Sequence, residues 1–167
     1  VIGRRGRVAR AIRTVARAAG DEEGLDVAVL DINGETAQTV SDEVQTTGAR
    51  GMALVEETAT YLDGPGREHA KTLEREPGLT YAAWSMELTT RLMQAASWLV
   101  MQKAVRDGDM RREDAMQSKY RISRDEPALD AKAQRGRGLP DVFLDLVERS
   151  ENLFERICRL DAAIYGA

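Results

Sequence analysis

A mainly α chain, an antiparallel three-helix bundle with a poorly defined N-terminal appendage, is what three features of this sequence predict. Leu79 to Val105 holds no Gly and no Pro and places apolar residues at helical spacing. Phe143, Leu146, Ser150, Leu153, Ile157, Leu160 and Ile164 run at steps of three and four to the C-terminus, the cleanest heptad in the chain. Between the helical stretches stand clusters of turn residues, Asp63-Gly64-Pro65-Gly66 and Asp107-Gly108-Asp109.

The stretch from Leu79 to Val105 is the central helix. Tyr81, Ser85, Leu88, Leu92, Ala95 and Leu99 alternate at steps of four and three and mark one seam. Met86, Met93 and Val100 form a second row at steps of seven, with Ala82 and Ala104 beside it. At 100° per residue this row lies roughly 120° around from the first. A helix apolar on two faces needs cover on two faces. The expectation is two partners within the chain or one from another chain.

The other elements follow in order. Residues 1–20 carry six arginines and no acid and read as a basic helix. Leu25 to Ile32 is the one convincing strand pattern, ended by the turn pair Asn33-Gly34; one strand makes no sheet without a partner. Residues 1–34 are read as the appendage and 35–167 as the bundle. The first bundle helix runs Glu35–Leu62, with Val40, Val44, Gly51, Val55, Thr58 and Leu62 near one face. Gly64 is expected to cap it in the left-handed region, and Pro65 to stop it. Arg67 to Glu76 reads as a solvated helical turn, and Pro77 precedes the central helix. Met110 to Gly138 is a charged connection with one short helix, Glu113 to Tyr120. Leu139-Pro140-Asp141 opens the last helix, Leu139–Tyr165, with Asp141 favourable to its dipole.

The totals narrow the class. A length of 167 residues suits one domain, and 43% apolar residues can fill a core. No apolar run reaches 18 residues, so a membrane span is not expected, and the arginine-rich start does not read as a signal peptide. The single Cys158 excludes an internal disulfide and fits a reducing compartment. A net charge of −4 argues against general nucleic-acid binding, and no aromatic residue interleaves the N-terminal arginines.

Val1-Ile2-Gly3-Arg4-Arg5-Gly6, with an acid at Asp31 after Val27-Ala28-Val29-Leu30, resembles a fragment of a dinucleotide-binding domain of the short-chain dehydrogenase kind. The glycine spacing fails, with Arg5 and Val8 where further glycines belong, and none of the four tyrosines has a Lys four residues on. His69 is the lone histidine in a charged segment and reads as a surface residue; metal or triad chemistry needs more partners. Cys158 reads as a buried thiol. Glu56-Glu57 reads as solvated carboxylates. The sequence presents no catalytic, cofactor-binding or metal-ligating set. Trp84, Arg91 and Trp98, spaced by seven, form a third flank on the central helix; Trp and Arg are common interface anchors, and they serve equally as the margin of a core.

Two longer stretches and two short ones carry a family resemblance. They are Gly51-Met-Ala-Leu-Val-Glu-Glu-Thr-Ala-Thr-Tyr-Leu-Asp-Gly-Pro-Gly-Arg67, Ser85-Met86 with Leu88-Thr-Thr-Arg-Leu-Met-Gln-Ala-Ala-Ser-Trp-Leu99, Ser118-Lys-Tyr-Arg121, and Arg159-Leu-Asp161. Together they resemble the regulator of CtrA degradation (RcdA) family of alphaproteobacteria, over about Gly51 to Tyr165. The resemblance implies a small cytoplasmic three-helix bundle that forms homodimers and is not an enzyme. It implies an adaptor for the ClpXP protease that joins a response-regulator-like partner and helps deliver cell-cycle regulators. Residues 1–50 depart from the family pattern, as do Trp84 and Glu87 and the stop at Ala167. The partner or dimer surface expected here comprises Met86, Met93, Val100, Trp84, Arg91, Trp98, Tyr61 and Asp63. Two other readings stay open: a dinucleotide-binding oxidoreductase fragment, and a purely structural helical dimer.

Overall fold

The computed structural model describes residues 34–122 and 138–166. They form α1 (Gly34–Asp63), α2 (Pro65–Thr72), α3 (Arg75–Arg106), α4 (Arg112–Ala115), a 3-10 turn (Ser118–Tyr120) and α5 (Asp141–Tyr165). Among the described residues there is no strand, so the mainly α expectation holds. The expected basic helix over residues 1–20 and the strand Leu25–Ile32 lie outside the described residues.

Each long helix forms where its apolar seam demands burial. Leu88 and Leu92 of α3, Phe143, Leu146 and Ile157 of α5, and Val55 of α1 are 0–1% exposed and meet in one core. Each such side chain contributes about 1.5–3 kcal/mol on leaving water. Gly51 lets α1 come close to its neighbours. A Cβ there would stand 3.0 Å from Leu99 Cδ1 and 3.4 Å from Leu153.

The three long helices pack pairwise, and their directions refine the antiparallel expectation. Gly51 lies against Leu99 while Gly66, just past α1, lies against Tyr81, so α1 and α3 run opposite ways. Glu57 meets Arg149 and Glu43 meets Arg156, so α1 and α5 also run opposite ways. Arg91 meets Ser150, Trp98 meets Asp161, and Gln102 meets Tyr165; α3 and α5 are therefore parallel. The chain leaves α3 beside the C-terminal end of α5, where Arg112 donates to the Ile164 carbonyl at 2.8 Å. It re-enters α5 from the other end, where Gly138, at φ 82°, sits against Pro77.

The helix ends correct several local expectations. Gly64 adopts φ −112° and not the left-handed region. It joins α1 to α2 by a single residue, its N–H bonded to the Thr60 carbonyl at 3.0 Å, and Pro65 stands at the start of α2, where a missing N–H costs nothing. The segment expected as a solvated turn, Arg67 to Glu76, is helical to Thr72 within α2, which buries its own Gly66, and again from Arg75 in α3. Pro77 lies inside the first turn of α3 for the same reason. The short helix expected over Glu113–Tyr120 is split into α4 and the 3-10 turn.

Candidate functional site

At the Gly66 end of the bundle, α2 is clasped onto α1 and α3 by aromatic residues. The Tyr81 hydroxyl donates to the Gly66 carbonyl at 3.1 Å, and the Tyr61 hydroxyl lies 3.0 Å from His69 Nδ1. The Tyr81 and Phe143 rings are 4.4 Å apart, and Tyr61 stacks on Phe143 at 6.3 Å. Burial raises the Tyr61 hydroxyl above its usual pKa, against a lowering hydrogen bond with Tyr81. His69 is therefore a half-buried clasp, not the free surface residue its charged segment suggests. Asp63 pairs with Arg67 at 3.0 Å across the α1–α2 joint.

A second polar network closes the other end. The Trp98 indole donates to Asp161 Oδ1 at 2.8 Å, and Arg121 Nε donates to Oδ2 of the same carboxylate at 2.8 Å. Arg121 also donates to the Gly166 carbonyl at 3.1 Å and covers the Tyr165 ring at 5.1 Å. Gln102 donates to the Tyr165 hydroxyl at 3.0 Å, and burial raises that hydroxyl above its usual pKa. Asp161 is 4% exposed; a buried carboxylate with a cation and a donor on its two oxygens is satisfied. Its signal in the sequence is one acid in the apolar run Ile157, Leu160, Ile164.

The eight residues expected at a partner or dimer surface divide sharply. Met86 is 74% and Met93 40% exposed, while Val100 is half-buried. Trp84 and Trp98 belong to the core, at 6% and 2% exposed, and Tyr61 does too, at 6%. An indole can go inside when its N–H finds an acceptor, as Trp98 does in Asp161. Arg91 lies half-buried, donating to Ser150 Oγ at 3.0 Å and paired with the Glu87 carboxylate. Asp63 is half-buried at the α1–α2 joint. Leu79, 66% exposed and one heptad before Met86, joins the exposed row; the same step of seven points to it in the sequence.

Among the described residues no three His, Cys, Asp or Glu side chains could hold a metal ion together. Cys158 is buried and not in a disulfide. Glu57 is held by Arg149, at 2.6 Å, and borders a shallow groove with Ala53, Glu56, Thr60, Tyr61 and Pro65. No helix among the described residues is long and apolar enough to cross a membrane.

Among the described residues the fold is a helical bundle whose exposed apolar row lies along one helix. Residues 35–167 match the family described as a protein of unknown function, DUF1465. Among solved structures, the chain is similar to RcdA from Caulobacter crescentus CB15, with 45% sequence identity and a TM-score of 0.61, over 74% of this chain and 92% of that one. The chain belongs to this DUF1465 family, that of RcdA. No curated protein matches it.

The stretches that resemble the family carry packing contacts. Gly51 admits Leu99, Gly66 admits Tyr81, and Arg121 reaches Asp161. They are signatures of the bundle first.

Proposed function

We propose that this chain is a non-enzymatic cytoplasmic adaptor of regulated proteolysis. It works as a homodimer, joins the ClpXP protease with a response-regulator-like partner, and helps deliver cell-cycle regulators for degradation. The observation that carries this reading is the 45% identity to RcdA over 92% of that chain. The exposed Leu79, Met86 and Met93 row supports a protein-binding role, since large apolar side chains exposed in a row mark interaction sites.

The test is retention of purified ClpX and of the response-regulator-like partner on the immobilised full chain. Retention of the partner, followed by faster loss of a cargo when ClpXP and ATP are added, is expected. Retention of neither leaves a purely structural dimer and overturns the adaptor role. Titration with nicotinamide cofactors, read by fluorescence, is expected to show no saturable binding. Tight binding lost on Asp31→Ala would return the chain to the oxidoreductases.

A further inference from the structure

The groove on α1 joins uncovered apolar surface to an excess of negative charge. Ala53, Tyr61 and Pro65 line it with Glu56, Glu57 and Thr60, around a space of about 570 Å³. Glu57 and Asp145 share one cation, Arg149. Glu56 is exposed, and among the described residues no cation pairs with it.

The chain itself supplies a segment of opposite character. Residues 1–20, which lie outside the described residues, hold six arginines and no acid. Val8, Ile12 and Val15 stand among Arg7, Arg10, Arg13 and Arg17. From such a segment an apolar side chain can enter the groove while guanidiniums beside it meet the carboxylates, on which Arg can make paired hydrogen bonds. The reach is sufficient. Glu56 lies roughly 33 Å along α1 from Gly34, and residues 21–33 can extend to about 45 Å. We propose that residues 1–20 dock in cis on this groove, with arginines at Glu56 and Glu57 and an apolar side chain against Tyr61 and Pro65. The lining residues all fall within the stretch Gly51–Arg67 that carries the family resemblance, whereas residues 1–20 precede the family match at 35–167. The docked segment thus covers a surface of the bundle with sequence from outside the family match. This holds with or without the adaptor role.

The occupant is a segment of the same chain because the contacts are individually weak. Exposed ion pairs contribute no more than ~1 kcal/mol each, and a shallow groove buries little of a free peptide. A tethered segment meets the groove at an effective concentration near millimolar, so contacts too weak for a separate molecule suffice in cis. Molar salt screens such pairs and releases the segment.

Ile12→Cys combined with Ala53→Cys, made in the full chain, reads the docking. Ala53 and Glu56 are exposed on α1, so the fold is kept, and Cys158 is buried. Ile12→Cys with Lys119→Cys is the comparison. Lys119 is exposed at the end of the bundle where α1 begins, so a tether without docking favours it over position 53. An intramolecular disulfide between positions 12 and 53 is expected to form several-fold faster than one between 12 and 119, read by non-reducing peptide mapping. Glu56→Lys should slow the link at 53 several-fold, and adding Arg10→Glu and Arg13→Glu should restore it. An equal or faster link at position 119, the outcome if the arginines pair with Asp21, Glu22 and Glu23 of the tether, would overturn the proposal. A link at 53 that Glu56→Lys and molar salt leave unchanged would overturn the charge pairing. Links formed only between two chains would overturn docking in cis.

Discussion

Trp98 and Asp161, 63 residues apart in the chain, meet in a 2.8 Å hydrogen bond at the closed end of the bundle. The bond ties α3 to α5, and the other carboxylate oxygen takes Arg121 from the connection that follows α3. One acid thus fastens three segments. Removing it strands the buried indole N–H and leaves the part-exposed Arg121 guanidinium with the Gly166 carbonyl and the Tyr165 ring.

Asp161→Ala is accordingly expected to destabilise the chain by about 3 kcal/mol, the range for breaking a buried ion pair from one side. Arg121→Ala costs less, because Asp161 keeps the indole and the arginine side chain is 24% exposed. Urea unfolding of the two single variants and the double variant checks this; a coupling of about 1–2 kcal/mol is expected for residues in one network. Additive effects would show that Arg121 is ornamental.

Three glycines should respond differently to Ala. At Gly66 a Cβ would stand 2.6 Å from the Tyr81 hydroxyl oxygen and 2.9 Å from the Tyr61 carbonyl, so Gly66→Ala is expected to cost about 1–3 kcal/mol. At Gly48 the nearest atom is Leu99 Cδ2 at 3.7 Å, ordinary contact. Gly48→Ala should stabilise by up to ~1 kcal/mol through helix propensity. Gly51→Ala falls between, since the Leu99 methyl at 3.0 Å must give way. Thermal unfolding of the three variants tests the order.

Arg149 illustrates a pair worth little. It makes three contacts of 2.6–3.0 Å with Glu57 and Asp145, and these hold its pKa above its ordinary value. All three side chains are 43–60% exposed, so solvent screens them. Arg149→Ala is expected to cost no more than ~1 kcal/mol. The loss should shrink further in molar salt.

Alkaline pH should loosen both ends of the bundle. Burial raises Tyr61 and Tyr165 above the ordinary tyrosine value of 10.0. A raised folded pKa means that the folded state holds its proton longer than the unfolded state. The stability these groups contribute is complete below pH 10 and is lost as pH rises through the raised values. Titration of phenolate absorbance should show two tyrosines ionising late. Tyr165→Phe should reduce the fall in stability above pH 10; an unchanged fall would contradict the assignment.

Much of the core was legible beforehand. Val44, Gly51, Val55 and Thr58 of the first seam are buried, as are Leu88, Leu92, Ala95 and Leu99 of the second and Phe143 through Leu160 of the third. Periodicity reports such faces directly, because the side chains of one helix repeat every 3.6 residues. The candidate surface was half legible. The step of seven finds Met86 and Met93, but the same step groups Trp84 and Trp98 as a flank, and spacing alone does not say that an acceptor waits for the indole.

By itself the sequence determined that this chain is helical, which stripe of each long helix is apolar, and where Gly and Pro interrupt them. These are local properties, set by backbone preferences and by the repeat along one helix. Only the tertiary structure decided that α3 and α5 run parallel, that Trp84 and Trp98 lie inside, and that Asp161 joins Trp98 to Arg121. An apolar stripe reads the same whichever helix covers it and whichever way that helix runs. The partner of a buried donor is chosen by contacts across the chain, and no local pattern records it.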